Sequence, residues 1–369
     1  MPEVRVEEAA KAYGAVRALQ DVSLTANAGE YLCVVGPSGC GKTTLIKTIA
    51  GIVKPDAGEV YIDGEAAKAL PIEERGVGYV FQEIALFPHM NSYDNVSYGL
   101  MVKGATPRER ESPVEEMLYM MGLDGFATLY PRELSGGARQ KTAISRALVS
   151  GSTLLLLDEP LGALDLKVRT SLRYELRKLV KDLGLTAIHV THDQEEALSI
   201  SDRIVVMKAG RIVEVGPPQE MYLNPRELFT AKFLGEANFF TGTVKKYTDH
   251  VAEVAVNGST IMAAVREETP LKEGERCVLA IRPEFVELVN DPAGGNTWEC
   301  TVTSASFVGD HFRYELRASN GEVFLSKAAV RGDAAGFAAG DKVYAALPEE
   351  RLLTFRYPEE GLEKALSLE

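Results

Sequence analysis

Residues 36–44 read Gly-Pro-Ser-Gly-Cys-Gly-Lys-Thr-Thr, directly after the apolar run Tyr31-Leu32-Cys33-Val34-Val35. Gly36, Gly39 and Gly41 permit backbone conformations and close approach that a Cβ would block. The loop they make with Ser38 and Cys40 can therefore turn successive N–H groups toward phosphate oxygens. Lys42 reaches the β and γ phosphates and Thr43 has a hydroxyl placed to ligate Mg²⁺. Thr44 continues a helix whose N-terminal dipole favours an anion. The chemistry this spacing serves is binding of a nucleoside triphosphate, ATP or GTP, with Mg²⁺.

A second pattern complements the first. Leu154-Leu155-Leu156-Leu157-Asp158-Glu159 is a continuous apolar run ending in two acids. A buried parallel strand has that composition and delivers its carboxylates to the C-terminal edge, where ligands sit. Asp158 is expected to hold Mg²⁺ through water, and Glu159 to accept a hydrogen bond from the water that attacks the γ-phosphate. A buried strand ending by chance in Asp-Glu is the bland alternative, but the loop at 36–44 already demands such a partner.

Between the two lies Leu134-Ser135-Gly136-Gly137-Ala138-Arg139-Gln140, ahead of a helical pattern over 141–148. Further motifs are Gln82 in Val80-Phe81-Gln82-Glu83, Asp165 in Leu161-Gly162-Ala163-Leu164-Asp165, and His192 in Val190-Thr191-His192-Asp193. Taken in this order, the set resembles an ABC-type ATPase. The resemblance implies that Ser135, Gly136 and Gly137 form an anion site for the γ-phosphate held by an opposite subunit, and that His192 is a switch touching the γ-phosphate. It further implies that Tyr13 stacks on adenine, that Asp165 belongs to the nucleotide site, and that Gln82 senses Mg²⁺ and the attacking water while linking the site to a membrane partner. Glu159, His192 and Gln82 are thus the expected catalytic set, and Thr43, Gln82 and Asp158 the expected metal set. His189 has no such motif and is read as structural. One departure stands out: the family signature most often reads Leu-Ser-Gly-Gly-Gln, and Ala138 occupies the glutamine position. A single loop and a single signature in 369 residues make the working unit a dimer, with an identical chain or a close relative.

Positioning these groups calls for an α/β P-loop NTPase cassette. Residues 1–80 read as short strands and turns, with Asp63-Gly64 marking a hairpin. Residues 90–148 read as a helical subdomain carrying the signature, in which the methionine-rich stretch 113–121 is core packing. A helix over 164–183 and a strand over 186–190 return the chain to a parallel sheet, and a hairpin over 203–215 closes the cassette. Around Asn238 the pattern changes to short strands with regular turn signals, among them 241–244, 277–284, 301–304 and 324–325, which predicts an appended all-β barrel. It resembles the OB-like TOBE regulatory domain of bacterial and archaeal importer ATPases, most recognisably at 281–284 and 307–310. The expected division is therefore a cassette over 1–237 and a TOBE domain over 238–369.

Charge and hydropathy narrow the function. The chain is 46% apolar and 25% charged with a net charge of −13, which disfavours sequence-independent nucleic-acid binding. From residue 239 onward, 14 Lys and Arg stand against 21 Asp and Glu, so the barrel is expected to stabilise the dimer or sense a small ligand rather than bind nucleic acid. Cys33, Cys40, Cys277 and Cys300 have no metal-like spacing. No run approaches about 18 apolar residues, and the N-terminus has no signal-like core. Translocation is therefore assigned to separate permease subunits, fed by an extracytoplasmic solute-binding protein, with this chain at the cytoplasmic face of the membrane. The apolar segment 84–90 beside Gln82 is the expected permease contact, with burial against the helical subdomain as the competing explanation. The expected function is ATP-driven uptake of a small solute. A polyamine such as spermidine or putrescine leads, with ferric iron, an oxyanion or a sugar as alternatives, and a soluble ABC switch uncoupled from transport is the reading of another class.

Overall fold

A computed structural model describes residues 1–248, 250–266, 271–292, 294–330 and 336–368. It divides into two compact units, Met1–Met221 and Tyr222–Ser367.

The first unit is built on a six-stranded sheet in the order β10-β9-β3-β8-β7-β6. Its members are β3 (Tyr31–Val35), β6 (Val77–Val80), β7 (Leu154–Asp158), β8 (Thr186–Thr191), β9 (Arg203–Lys208) and β10 (Arg211–Gly216). Strands β3, β7 and β8 are buried along their whole length, which explains why they read as unbroken apolar runs rather than alternating ones. Because β3 lies beside β8 and β8 beside β7, all three parallel, their C-terminal ends place positions 36, 159 and 192 along one edge. A four-stranded antiparallel sheet, β2-β1-β4-β5, is formed by β1 (Val4–Tyr13), β2 (Val16–Ala26), β4 (Ala57–Ile62) and β5 (Glu65–Ala66). Its inward Val4, Val6, Val22 and Leu24 share one core with Leu45, Ile46 and Ile49 of α1 (Lys42–Ala50). Asp63 and Gly64, both at positive φ, make the β4–β5 turn.

Three helices fill 90–148: α2 (Ser92–Val102), α3 (Pro107–Met120) and α4 (Gly136–Leu148). The expected helix at 113–121 starts earlier, at Pro107, because Thr106 and Glu109 form a capping box. Pro113 sits inside it, at the loss of one backbone donor. Met117 and Met121 are buried but Met120 is exposed, so the methionine stretch is core on one face only. The chain then continues through α5 (Leu166–Asp182) and α6 (Gln194–Ile200).

After α7 (Pro218–Leu223), the second unit takes α8 (Leu228–Phe233). Leu228 and Ala231 pack against Val278, Ala280 and Phe355. The helix thus belongs to the β unit, and the units part at Met221/Tyr222 rather than at 237/238. A closed barrel follows in the order β11-β12-β13-β20-β14. Its strands are β11 (Asn238–Thr248), β12 (Val251–Val256), β13 (Ser259–Ala264), β14 (Arg276–Ile281) and β20 (Leu353–Arg356). A second sheet, β15-β19-β16-β17-β18, comprises β15 (Glu287–Val289), β16 (Thr297–Phe307), β17 (His311–Ala318), β18 (Val323–Ala329) and β19 (Lys342–Ala346). Phe240, Trp298 and Phe324 meet edge to face in their shared core, and the short α9 (Leu362–Leu366) ends the unit.

Candidate functional site

The glycine loop is wedged between two strands. A Cβ on Gly36 would lie 2.3 Å from the Met207 carbonyl oxygen of β9, and one on Gly41 would lie 2.2 Å from the Ala18 carbonyl oxygen of β2. Gly41 also has φ 107°, in the region closed to most L residues. Ser38 and Gly39 form the exposed crest. Lys42 is 5% exposed, and its ammonium donates to the Gly36 and Pro37 carbonyls at 2.7 and 2.9 Å. The lysine is thereby folded over its own loop, with Cys40 Sγ 3.9 Å away. Burial pushes the Cys40 thiol up, against the pull of Lys42. No side chain caps α1, so its first N–H groups remain available for an anion.

The second group gathers on Asp158, 2% exposed at the end of β7. Thr43 Oγ1 donates to its Oδ1 at 3.1 Å, and the Tyr79 hydroxyl donates to its Oδ2 at 3.0 Å. Burial, reinforced by Asp158, raises the Tyr79 phenol far above its ordinary range, so it stays a donor. A hydroxyl beside a carboxylate is the oxygen donor set that Mg²⁺ prefers. The sequence reading had no place for Tyr79; its signal was a hydroxyl in the otherwise apolar Val77-Gly78-Tyr79-Val80.

The third group centres on the Glu159 carboxylate. His192 Nδ1 lies 2.9 Å from Glu159 Oε2, and Gln82 Nε2 donates to the same oxygen at 3.4 Å. Glu159 has φ 48°, a left-handed conformation costing of order 1–3 kcal/mol that tends to persist at functional positions. Its own N–H is fixed on Val190 O at 2.9 Å.

The other predicted residues lie elsewhere. Ser135 is exposed and caps α4, its Oγ accepting the Ala138 N–H at 3.2 Å. Gly136 and Gly137 let α4 approach Leu164 and Val168, where a Cβ would come to 3.2 and 2.8 Å. The signature therefore abuts the turn in which Asp165 caps α5. Tyr13 ends β1, half exposed, with Lys11 Nζ 5.6 Å from its ring centre. Among the described residues no hydrogen bond or ion pair joins Ser135 or Tyr13 to the 36–44 loop. In the apolar segment, Asn95, fully buried, accepts the Phe87 N–H at 2.8 Å and donates to the Phe87 and Met90 carbonyls. Phe87 also meets the Tyr98 ring at 4.5 Å and the Arg146 guanidinium at 5.1 Å. Part of this segment is thus held by the helices, while Ala85, Pro88 and His89 stay exposed.

Comparison with known proteins gives the family. The ABC transporter family model matches residues 19–162 and the TOBE domain model residues 279–355. The chain is 42% identical over 320 residues to the Fe(3+) ions import ATP-binding protein FbpC 1 of Rhizobium meliloti (strain 1021), covering 87% of this chain and 89% of the relative. It is 41% identical over 322 residues to the spermidine/putrescine import ATP-binding protein PotA of Trichormus variabilis, covering 86% and 84%. Among solved structures, a dimeric post-hydrolysis state of the ATP-binding cassette MJ0796 bound to ADP and Pi matches with TM-score 0.54 and 34% identity, over 58% of this chain and 98% of that one. CbiO1 of Clostridium perfringens, part of the ABC transporter complex cbiONQ, matches with TM-score 0.56 and 30% identity, over 59% and 89%. The glycine loop, the Asp158 and Glu159 clusters and these likenesses converge: this chain belongs to the importer-type ABC transporter ATP-binding proteins, ATP hydrolases coupled to transport that carry a C-terminal TOBE domain.

Proposed function

We propose that this chain is the ATP-hydrolysing subunit of an importer for a cationic solute, working as a dimer of cassettes on the cytoplasmic face of permease subunits. The observation that carries the catalytic part is Glu159, held by His192 and Gln82 on one carboxylate oxygen. Lys42, Thr43, Thr44 and the loop N–H groups would hold the phosphates. Thr43, Asp158 and Gln82 would hold Mg²⁺, which when bound neutralises phosphate charge. Glu159 accepts the proton of the attacking water and His192 keeps that carboxylate oriented. Ser135, Gly136, Gly137 and Asp165 face the nucleotide of the second chain. Support for pairing comes from the dimeric form of the structural relative and from the placement of the signature away from its own loop. Tyr13 is assigned to the adenine, and the exposed part of the segment 82–90 to the permease. No helix among the described residues is long and apolar enough to cross a membrane, which accords with separate permease chains.

For cargo, the relatives divide between ferric iron at 42% and spermidine or putrescine at 41% identity. Both are cations, and the ferric reading has the same support as the polyamine one. Two experiments test the proposal. Glu159→Gln should bind ATP and lose turnover by about 10²–10⁴-fold; parent-level turnover would remove Glu159 from its role. In lipid, with permease and binding protein, stimulation of ATPase activity by ferric chelate or by polyamine names the cargo, and indifference to both overturns the cationic assignment.

A further inference from the structure

Behind His192 the cassette buries a run of polar groups that nucleotide binding leaves unused. Tyr31 opens β3 and His189 lies in β8, both with no exposed surface. The Tyr31 hydroxyl and His189 Nδ1 are 2.9 Å apart. The other ring nitrogen, Nε2, faces Glu196 Oε1 at 3.6 Å, and neither of these two atoms has a hydrogen-bond partner. Glu196, on α6 and 2% exposed, accepts the Thr191 hydroxyl on its second oxygen. The Thr191 oxygen in turn accepts the Asp193 N–H at 2.9 Å. Asp193 closes the loop by accepting the Glu196 N–H at 3.0 Å, while Arg169 and Arg173 approach its other oxygen at 3.4 and 3.6 Å. His192 sits between the two residues tied in this way.

Filling space would need none of this chemistry. An interior histidine and carboxylate cost free energy that Phe and Leu of similar size would not. Burial holds the His189 imidazole toward its neutral form, against the pull of Glu196 and Asp193. A neutral ring has one N–H. With the Tyr31 hydroxyl donating to Nδ1, that N–H falls on Nε2, which lies 3.6 Å from the unpartnered Glu196 oxygen, in contact with it but beyond a formed hydrogen bond. Thr191 then keeps the remaining carboxylate oxygen, and the backbone on either side of His192 is fixed from within the core.

We propose that Tyr31, His189 and Glu196 are positioning residues for ATP hydrolysis, fixing the Thr191–Asp193 segment and through it the approach of His192 to Glu159. The inference rests on the catalytic roles proposed for Glu159 and His192, and the test separates the two. In the full-length chain, Tyr31→Phe/His189→Phe removes both hydrogen-bonding partners and leaves the rings. It should lower kcat by about 10- to 100-fold with the Kd for a fluorescent ATP analogue unchanged within about 2-fold. Glu196→Leu should act alike, and all three changes together should cost no more than the worse of the two, because the three side chains are in contact and hold the same segment. His189→Gln carries an amide nitrogen toward the Nε2 position and should recover most of the turnover. Hydrogen exchange at the Asp193 amide should quicken in the variants that lose these contacts and return in His189→Gln. Parent-level kcat, additive losses, or losses shared equally between Kd and kcat would overturn the proposal. If the phenylalanine pair does not fold, the comparison of Glu196→Leu with His189→Gln decides on the same criteria. Glu159→Gln run in parallel tells the failures apart: if it still turns over, the catalytic reading itself has failed.

Discussion

Two helices in the cassette begin at glycine-rich sequences, and both read as anion sites, yet they begin differently. Helix α1 has Gly41 at its N-cap in a left-handed conformation, no side-chain cap, a buried lysine at its first position and the fully buried β3 behind it. Helix α4 has the exposed Ser135 at its N-cap, and the hydroxyl expected to meet a phosphate is already bonded to Ala138 N. The first is a cradle suited to an anion, since no side chain caps its first N–H groups. The second is a self-sufficient helix start placed against Leu164 and Val168. One helix start is thus left without a side-chain cap and the other is satisfied without ligand, a difference that fits the division of the nucleotide site between two chains proposed above.

The sharpest way to break that contrast is at the cations and hydroxyls themselves. Lys42→Ala removes charge-assisted bonds worth about 1.5–3 kcal/mol, so the isolated chain should bind ATP about 10- to 100-fold more weakly by titration. Ser135→Ala should leave that monomer affinity unchanged within about 2-fold and instead abolish ATP-driven pairing, followed by sedimentation in a Glu159→Gln background that stops turnover. Equal losses of monomer affinity in both would erase the distinction between the two helices.

Next come the glycines. Ala at 41 must hold φ 107° and push its methyl within 2.2 Å of the Ala18 carbonyl, a backbone atom that cannot rotate away. Gly41→Ala should lose at least about 2 kcal/mol in denaturant melts. Ala at 137 meets only a Val168 methyl at 2.8 Å and gains about 1 kcal/mol of helix propensity, so Gly137→Ala should fall within about 1 kcal/mol of the parent.

How much of this was legible beforehand follows the range of the interactions. The loop at 36–44, the apolar run before Asp158 and the Asp63-Gly64 turn are local patterns, and each residue type announces its own backbone need. Tyr79 escaped notice because its partner, Asp158, is far along the chain, and only the pairing of β6 with β7 brings them together. Asn95 escaped for a related reason: an amide holding 87–90 from the next helix looks like any polar helical residue. Helix α8 carries no composition that tells which unit it serves; Leu228 and Ala231 fit any apolar face, and contact with Val278 and Phe355 decides. The stretch read from 113 onward is part of a longer helix, because Pro113 lies inside one that Thr106 and Glu109 had already begun.

The smallest expected effect lies at the one departure from the family signature. Ser135 at the N-cap with Gln three residues later would be a capping box, in which the glutamine side chain returns to the N-cap N–H. With Ala138 only half of that box exists: Ser135 Oγ takes the Ala138 N–H and nothing at 138 can reciprocate. Ala138→Gln should therefore restore the second bond and raise the melting temperature slightly, by about 0.5–1 kcal/mol of added stability. Ala138 is 8% exposed, however, so the longer side chain must leave along the helix start rather than inward, where it would overpack the core. A gain in stability with turnover unchanged within about 2-fold would mean that the family glutamine serves chiefly to finish the helix. A loss of stability would mean that α4 has already closed around alanine, and that the outward half of the site has settled on a different packing from the one the signature usually allows.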